Sequence, residues 1–205
     1  MLAHESKLAI SRKTKIETNC VAFVDGTVRP IARPVYFQQQ AYNGHKRVHS
    51  IKFQSLTIAH GLIISMFGPI EGRRHDVALL RESNLGSNWR AAVPEGHYIY
   101  GDPAYPLRPW LLSPYKAARL TAKQALYNSR MSSVRVSVEW SFGDVLRYCT
   151  FLDYRKNLKV FLSPVAKLYL TGVLLTNCLT CERGGNPTNL FFGVDPPELE
   201  EYLAL

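Results

Sequence analysis

Cys20-Val-Ala-Phe-Val24 is an unbroken apolar run that stops at Asp25-Gly26. Its β-branched and aromatic content predicts a strand buried on both faces. A polar stretch with Pro30, Pro34 and Asn43-Gly44 follows. Two more strand-like runs, Ser50 to Ile58 and Leu62 to Phe67, are separated by the turn residues His60-Gly61. Apolar residues at 77, 79 and 80 predict a short helix over Asp76 to Ser83, and Tyr98-Ile-Tyr100 predicts a strand ending at Gly101-Asp102-Pro103. The strongest helical period spans Ser133 to Cys149, where Val134, Val138, Phe142, Val145, Leu146 and Cys149 recur at three and four residues. A last apolar helix is expected from Pro164 to about Leu179. This order of elements is that of a mixed α/β domain. Residues 1–18, polar and basic, read as a loosely anchored arm.

Composition narrows the class. The 205 residues are one domain's length, and 46% hydrophobic with 20% charged residues excludes a disordered chain. The longest apolar stretch, Phe161 to Leu179, carries Pro164 and Lys167 and falls short of the ~18 uncharged apolar residues of a membrane span. The N-terminus has no apolar signal core. Four cysteines without an export signal predict free thiols in an intracellular, reducing compartment. Cys178-Leu-Thr-Cys181 has zinc-ligand spacing but no second pair, and reads as two cysteines at a helix end.

Charge adds a partner. The net charge is +9, yet 24 of the 25 Lys and Arg residues and only 11 of the 16 acids precede Cys181. A basic body with an acidic tail suits a polyanion, because each cation placed at a phosphate releases condensed counterions. A solvated basic surface accounts for the charge equally well.

Three acids stand at the edges of apolar elements. Asp25 closes the first run, Asp102 closes a later one, and Glu139 interrupts the periodic helix. An isolated carboxylate there costs desolvation free energy unless it is paired or ligates a cation. Arg135, Glu139, Gly143 and Arg147, each four residues on, form one helical stripe that a metal site and a phosphate backbone could approach. Each acid also has an ordinary reading: Asp25 and Asp102 as turn residues, Glu139 as a solvated partner of Arg135 or Arg147. Together, on a basic chain, they fit a metal-dependent phosphodiester site with hard oxygen donors for Mg²⁺ or Mn²⁺.

The motifs carry a resemblance. Val24-Asp25-Gly26-Thr27, Tyr42-Asn43-Gly44-His45-Lys46-Arg47-Val48-His49-Ser50, and Glu71-Gly72-Arg73-Arg74-His75-Asp76 resemble, in order, segments of the Harbinger-type DDE transposases and their nuclease-like relatives. So do Gly101-Asp102-Pro103-Ala104-Tyr105-Pro106-Leu107 with Ser113-Pro114-Tyr115, and Tyr127-Asn128 with Val136-Ser137-Val138-Glu139-Trp140-Ser141-Phe142-Gly143.

The resemblance implies an α/β fold with an RNase H-like mixed sheet, three antiparallel strands followed by parallel strands, flanked by helices. It implies a DDE endonuclease domain over 19–181, between a basic N-terminal arm (1–18) and an acidic C-terminal tail (182–205). Asp25, Asp102 and Glu139 would be the triad that binds a divalent metal, Mg²⁺ or Mn²⁺, with Asp76 a further ligand or neighbour. The implied activity is metal-dependent hydrolysis of DNA, in the nucleus. A Myb-like DNA-binding protein is an implied partner, because no helix-turn-helix region precedes the resembling segment; an oligomer is left open.

Lys46 and Arg47 in the basic loop, with Arg130 and Arg135 before Glu139, are the expected phosphate contacts. A domesticated relative that binds DNA or chromatin without cutting it, or a decayed fragment, remains an alternative reading of the same residues.

Overall fold

The computed structural model describes residues 2–204 and shows an α/β chain with a mixed sheet flanked by helices. In chain order the elements are α1 (Leu2–Thr14), β1 (Cys20–Pro30), α2 (Gln38–Ala41), β2 (Tyr42–Asn43), β3 (Val48–Ile58), β4 (Ile63–Glu71), α3 (Asp76–Glu82) and α4 (Leu85–Ala92). They continue with β5 (Tyr98–Tyr100), β6 (Leu111–Leu112), α5 (Ala122–Arg135), α6 (Ser137–Tyr148), α7 (Val165–Glu182), α8 (Pro187–Phe192) and α9 (Leu199–Leu203).

β1 is the middle of the sheet. It pairs antiparallel with β3, which pairs antiparallel with β4 and, at its first residues, with β2. On its other side β1 pairs parallel with β5, and β5 with β6. The predicted strands are present, but β1 does not stop at Asp25. Its fully buried part ends at Val24, while its ladder with β3 runs unbroken from Ala22↔Ile58 to Pro30↔Ser50. Backbone pairing overrides the turn propensity of Asp25-Gly26, so Asp25 lies inside a strand, opposite Ser55.

The two faces of the sheet carry separate cores. Phe23 and Phe53 meet Met131, Val134, Val138, Phe142, Val145, Tyr169 and Val173 from α5, α6 and α7. On the other face Val24 and Leu56 meet Leu85 and Trp89 of α4, with Tyr105 and Leu111. The predicted helix over 133–149 is two helices. A Thr121–Gln124 capping box starts α5, and a one-residue turn at Val136 separates Arg135 from α6. No helix among the described residues is long and apolar enough to cross a membrane.

The termini differ from the sequence expectation. Residues 2–14 form a docked helix. Ser6 Oγ donates to the Val21 carbonyl at 2.6 Å and accepts from the Ala59 N–H at 3.1 Å, all buried, while Glu5 meets buried His60 at 3.1 Å. The apolar residues that anchor it, Ala9 and Ile10, are too few to raise a helical period in a polar segment. Beyond Glu182, Asn186 caps α8 and donates to the Gly61 carbonyl at 2.8 Å, and Phe192 stacks on Phe23. The five acids of residues 182–205 are all exposed.

Ser6→Ala leaves a buried carbonyl and a buried N–H without their side-chain partner. It should lower unfolding free energy by about 1–3 kcal/mol. A urea titration checks this, and an unchanged midpoint would show that the α1 contact carries no stability.

Candidate active site

The parallel pairing of β1 and β5 brings two acids near each other. Phe23 pairs with Tyr100 at the end of β5, and two residues past that strand the chain turns at Asp102, near enough for its charge to act on the Asp25 carboxyl. Gly101 lets Tyr105 and Val24 pack close beside this turn, since a Cβ there would lie 2.8 Å from the Tyr105 ring and 3.0 Å from Val24 Cγ1. Asp102 is held in a turn, its Oδ1 accepting from Ala104 N–H at 2.9 Å and its carbonyl from Tyr105 N–H at 3.2 Å.

Asp25 is the strained member of the pair. Burial pushes its carboxyl up from the ordinary 3.8 to about 6; the Arg135 guanidinium and the Gly26 N–H oppose this, and the Asp102 charge adds to it. Arg135 Nη1 donates to Asp25 Oδ2 at 2.7 Å, and both side chains are less than one-fifth exposed. This ion pair joins the end of α5 to the central strand, 110 positions apart in sequence.

Asp76, the first residue of α3, accepts from Lys52 Nζ at 2.9 Å. Its Oδ1 would lie 3.1 Å from a Cβ on Gly26. By strand alternation Gly26 faces the opposite layer from Asp25, so Asp76 flanks β1 from the far side of the sheet. Glu139 is exposed in the first turn of α6, one helical turn beyond Arg135. Thus Asp25 and Asp102 are brought together, and Glu139 is not. Among the described residues no group of three or more acidic, His or Cys side chains is placed to hold one metal ion.

The expected phosphate contacts divide. Lys46 and Arg47 are exposed in the turn between β2 and β3, whose shape is held by Asn43 Oδ1 accepting from the Lys46 N–H. Arg130 is instead committed to the chain, donating to the Lys15 carbonyl at 2.8 Å behind α1. Arg135 is committed to Asp25. Both arginines therefore have internal partners that the sequence, read locally, did not show. The stripe after Arg135 is open: Glu139, Gly143 and Arg147 all reach solvent. Cys178 and Cys181 are free thiols on α7, with no zinc-like cluster around them among the described residues.

Two residues near the acids escaped the sequence reading. Lys52 is a lone cation in an otherwise buried strand segment, and that was its signal. Tyr105 is buried, and its hydroxyl has no hydrogen-bond partner. Burial, and then the charges of Asp25, Asp76 and Asp102, push that hydroxyl well above the ordinary tyrosine range. Ser55 Oγ, across the ladder from Asp25, is likewise buried and unpartnered. Paired carboxylates with hard oxygens beside unpartnered hydroxyls fit a hydrated dication in donor type. Arg135 supplies the positive charge at Asp25 in this structure.

The family described as DDE superfamily endonuclease matches residues 24–177, three quarters of the chain. The chain belongs to that family. The matched span takes in Asp25, Asp76, Asp102 and Glu139. Among curated proteins, this DDE endonuclease-family chain is similar to HARBI1, a candidate nuclease by name. It is 27% identical to the Mus musculus protein over 99 residues, 48% of this chain and 28% of that one. It is 26% identical to the Homo sapiens protein over 116 residues, 57% and 33% of the two chains. It is 21% identical to the Bos taurus protein over 164 residues, 79% and 47%. The Harbinger-type resemblance read from the motifs is therefore borne out. The matches span less than half the length of these relatives. No solved structure gives a significant match.

Burial of Asp25 makes stability depend on pH. The native state favours the neutral carboxyl, so the contribution is fully present below about 3.8 and is lost as pH rises through about 6. A tenfold change in a proton equilibrium is worth about 1.4 kcal/mol, so wild type should lose about 3 kcal/mol relative to Asp25→Asn between pH 3 and 7. Urea titrations at a series of pH values check this, and parallel curves for the two proteins would contradict it.

Proposed function

We propose that this chain is the catalytic domain of a metal-dependent DNA endonuclease, built on an RNase H-like sheet and acting in the nucleus. The observation that carries the reading is the approach of Asp102, in the turn just after β5, to the buried Asp25 carboxyl of the neighbouring β1. Asp25, Asp102 and Glu139 would hold Mg²⁺ or Mn²⁺, with Asp76, positioned by Lys52, as a neighbour. A divalent ion so bound would activate water and neutralise charge at the phosphodiester. The β1–β3 ladder fixes Asp25 and the turn after β5 fixes Asp102, while Glu139, exposed on α6, has to approach them to complete the set. Lys46 and Arg47 would meet phosphates and fix the register of the duplex without reading its bases. A Myb-like protein would supply sequence choice.

The exposed position of Glu139 and the Arg135 cation on Asp25 favour a second reading, a DNA- or chromatin-associated derivative that binds without cutting. Cleavage of a supercoiled plasmid, or of a duplex with candidate terminal repeats, in Mg²⁺ or Mn²⁺ separates the two.

Asp102→Asn should retain the fold, judged by circular dichroism, and lose at least ~100-fold in cleavage rate, about 2.7 kcal/mol of barrier. Undiminished cleavage by that variant would remove Asp102 from the site. Duplex binding should be weak and salt-dependent. With about five phosphates engaged, log K should fall against log salt with a slope of roughly −4 to −5. Reversing both Lys46 and Arg47 to Glu should flatten it by about 2, and an unchanged slope would exclude that loop from the interface.

A further inference from the structure

We propose that Arg135 is the resident counter-ion of Asp25, holding the carboxylate oxygen that a divalent cation would take, so that cation binding expels the guanidinium. The inference rests on the nuclease reading and concerns how the site is kept between metal-bound states.

The argument starts from charge. The charge of Asp102, in the turn after β5, bears on Asp25 of β1, and the cation bonded to Asp25 is the Arg135 guanidinium, at 2.7 Å. Lys52 is occupied by Asp76, on the other side of Gly26. A single positive charge therefore serves the pair, and a dication answers it more completely. The guanidinium and a dication compete at Asp25 Oδ2, because each draws on the same oxygen's electron density and the two cations repel each other.

Arg135 is also placed to leave. It is the last residue of α5, directly before the one-residue turn at Val136, and its side chain is tethered by its bond to Asp25. Glu139, Gly143 and Arg147 continue its stripe along α6 toward solvent, with open space where a Gly143 side chain would be. An expelled guanidinium would join that open stripe and become available to a phosphate. Linkage then requires that the dication and a polyanion strengthen each other's binding. Arg135 is thus a positioning residue whose two partners, Asp25 and a DNA phosphate, exclude one another.

The test is Mn²⁺ binding to the whole chain by electron paramagnetic resonance, with and without a short duplex. Arg135→Gln should bind Mn²⁺ at least about fivefold tighter than wild type and melt at a lower temperature without metal. The duplex should tighten Mn²⁺ binding in wild type but not in this variant. Arg135→Lys keeps the charge that supports the fold but lacks the planar fork, and should show a smaller gain of about twofold. Equal or weaker Mn²⁺ binding by folded Arg135→Gln would overturn the proposal. So would unchanged binding by Arg135→Lys if the Gln variant fails to fold. Asp25→Asn separates the two levels of inference. If it abolishes Mn²⁺ binding while Arg135 substitutions are neutral, this proposal alone falls. If it binds Mn²⁺ as wild type does, the ion is not at Asp25, and the nuclease reading falls with it.

Discussion

Placing a carboxylate on the central strand of a sheet removes it from water, and much of the arrangement around Asp25 answers that cost. The ladder with β3, in which Asp25 sits opposite Ser55, holds the backbone that carries this side chain. The Gly26 N–H and the Arg135 guanidinium offset part of the desolvation, but burial and the nearby Asp102 charge still prevail, and the carboxyl is held near 6. A stabilising core would place a valine here. A desolvated acid beside a second acid is a local conflict of the kind that folds tolerate at sites of function.

The same strand explains why two layers of helix are needed. Phe23, Asp25 and Thr27 alternate with Val24, Gly26 and Val28, so one strand serves both cores and both sets of charged residues. Arg135 approaches from the α5–α6 layer and the Lys52–Asp76 pair from the other. Gly26 connects them: without a side chain, it lets Asp76 pack directly against β1. The helix α1 and the segment after Glu182 close the far end of the sheet through Ser6, His60 and Asn186, all bonded at or beside the β3–β4 turn. Their hydrogen bonds to backbone anchor these elements together with the apolar contacts of Ala9, Ile10, Phe192 and Tyr202. Segments that read as an arm and a tail therefore belong to the packed body.

Much of the site was legible because its residues mark breaks in strong local patterns. Asp25 and Asp102 end apolar runs, and Glu139 interrupts a clean helical period, so each was visible without a structure. Lys52 left a weaker mark, a single cation in a strand. Arg130 and Arg135 were visible as charges, but their partners, Lys15 and Asp25, lie 115 and 110 residues away. No local pattern encodes such a distance. Read by charge alone, both belonged to an open basic face; packed, both are engaged inside the chain.

The sequence by itself determined the four longest strands, the apolar faces of the helices around Val138 and Val173, the basic body and the identity of the acids, because hydrophobic period and residue chemistry are local properties. The ordered motifs also determined the family. The tertiary structure decided which acids meet. Parallel pairing of β1 with β5 brings the turn at Asp102 near Asp25, while Glu139 faces solvent and Arg135 pairs with Asp25. It also decided that β1 continues past Asp25, since ladder hydrogen bonds to β3 outweigh a local turn preference. Strand partners and ion pairs are fixed by the closure of long loops, and that free energy depends on the whole chain rather than on any window within it.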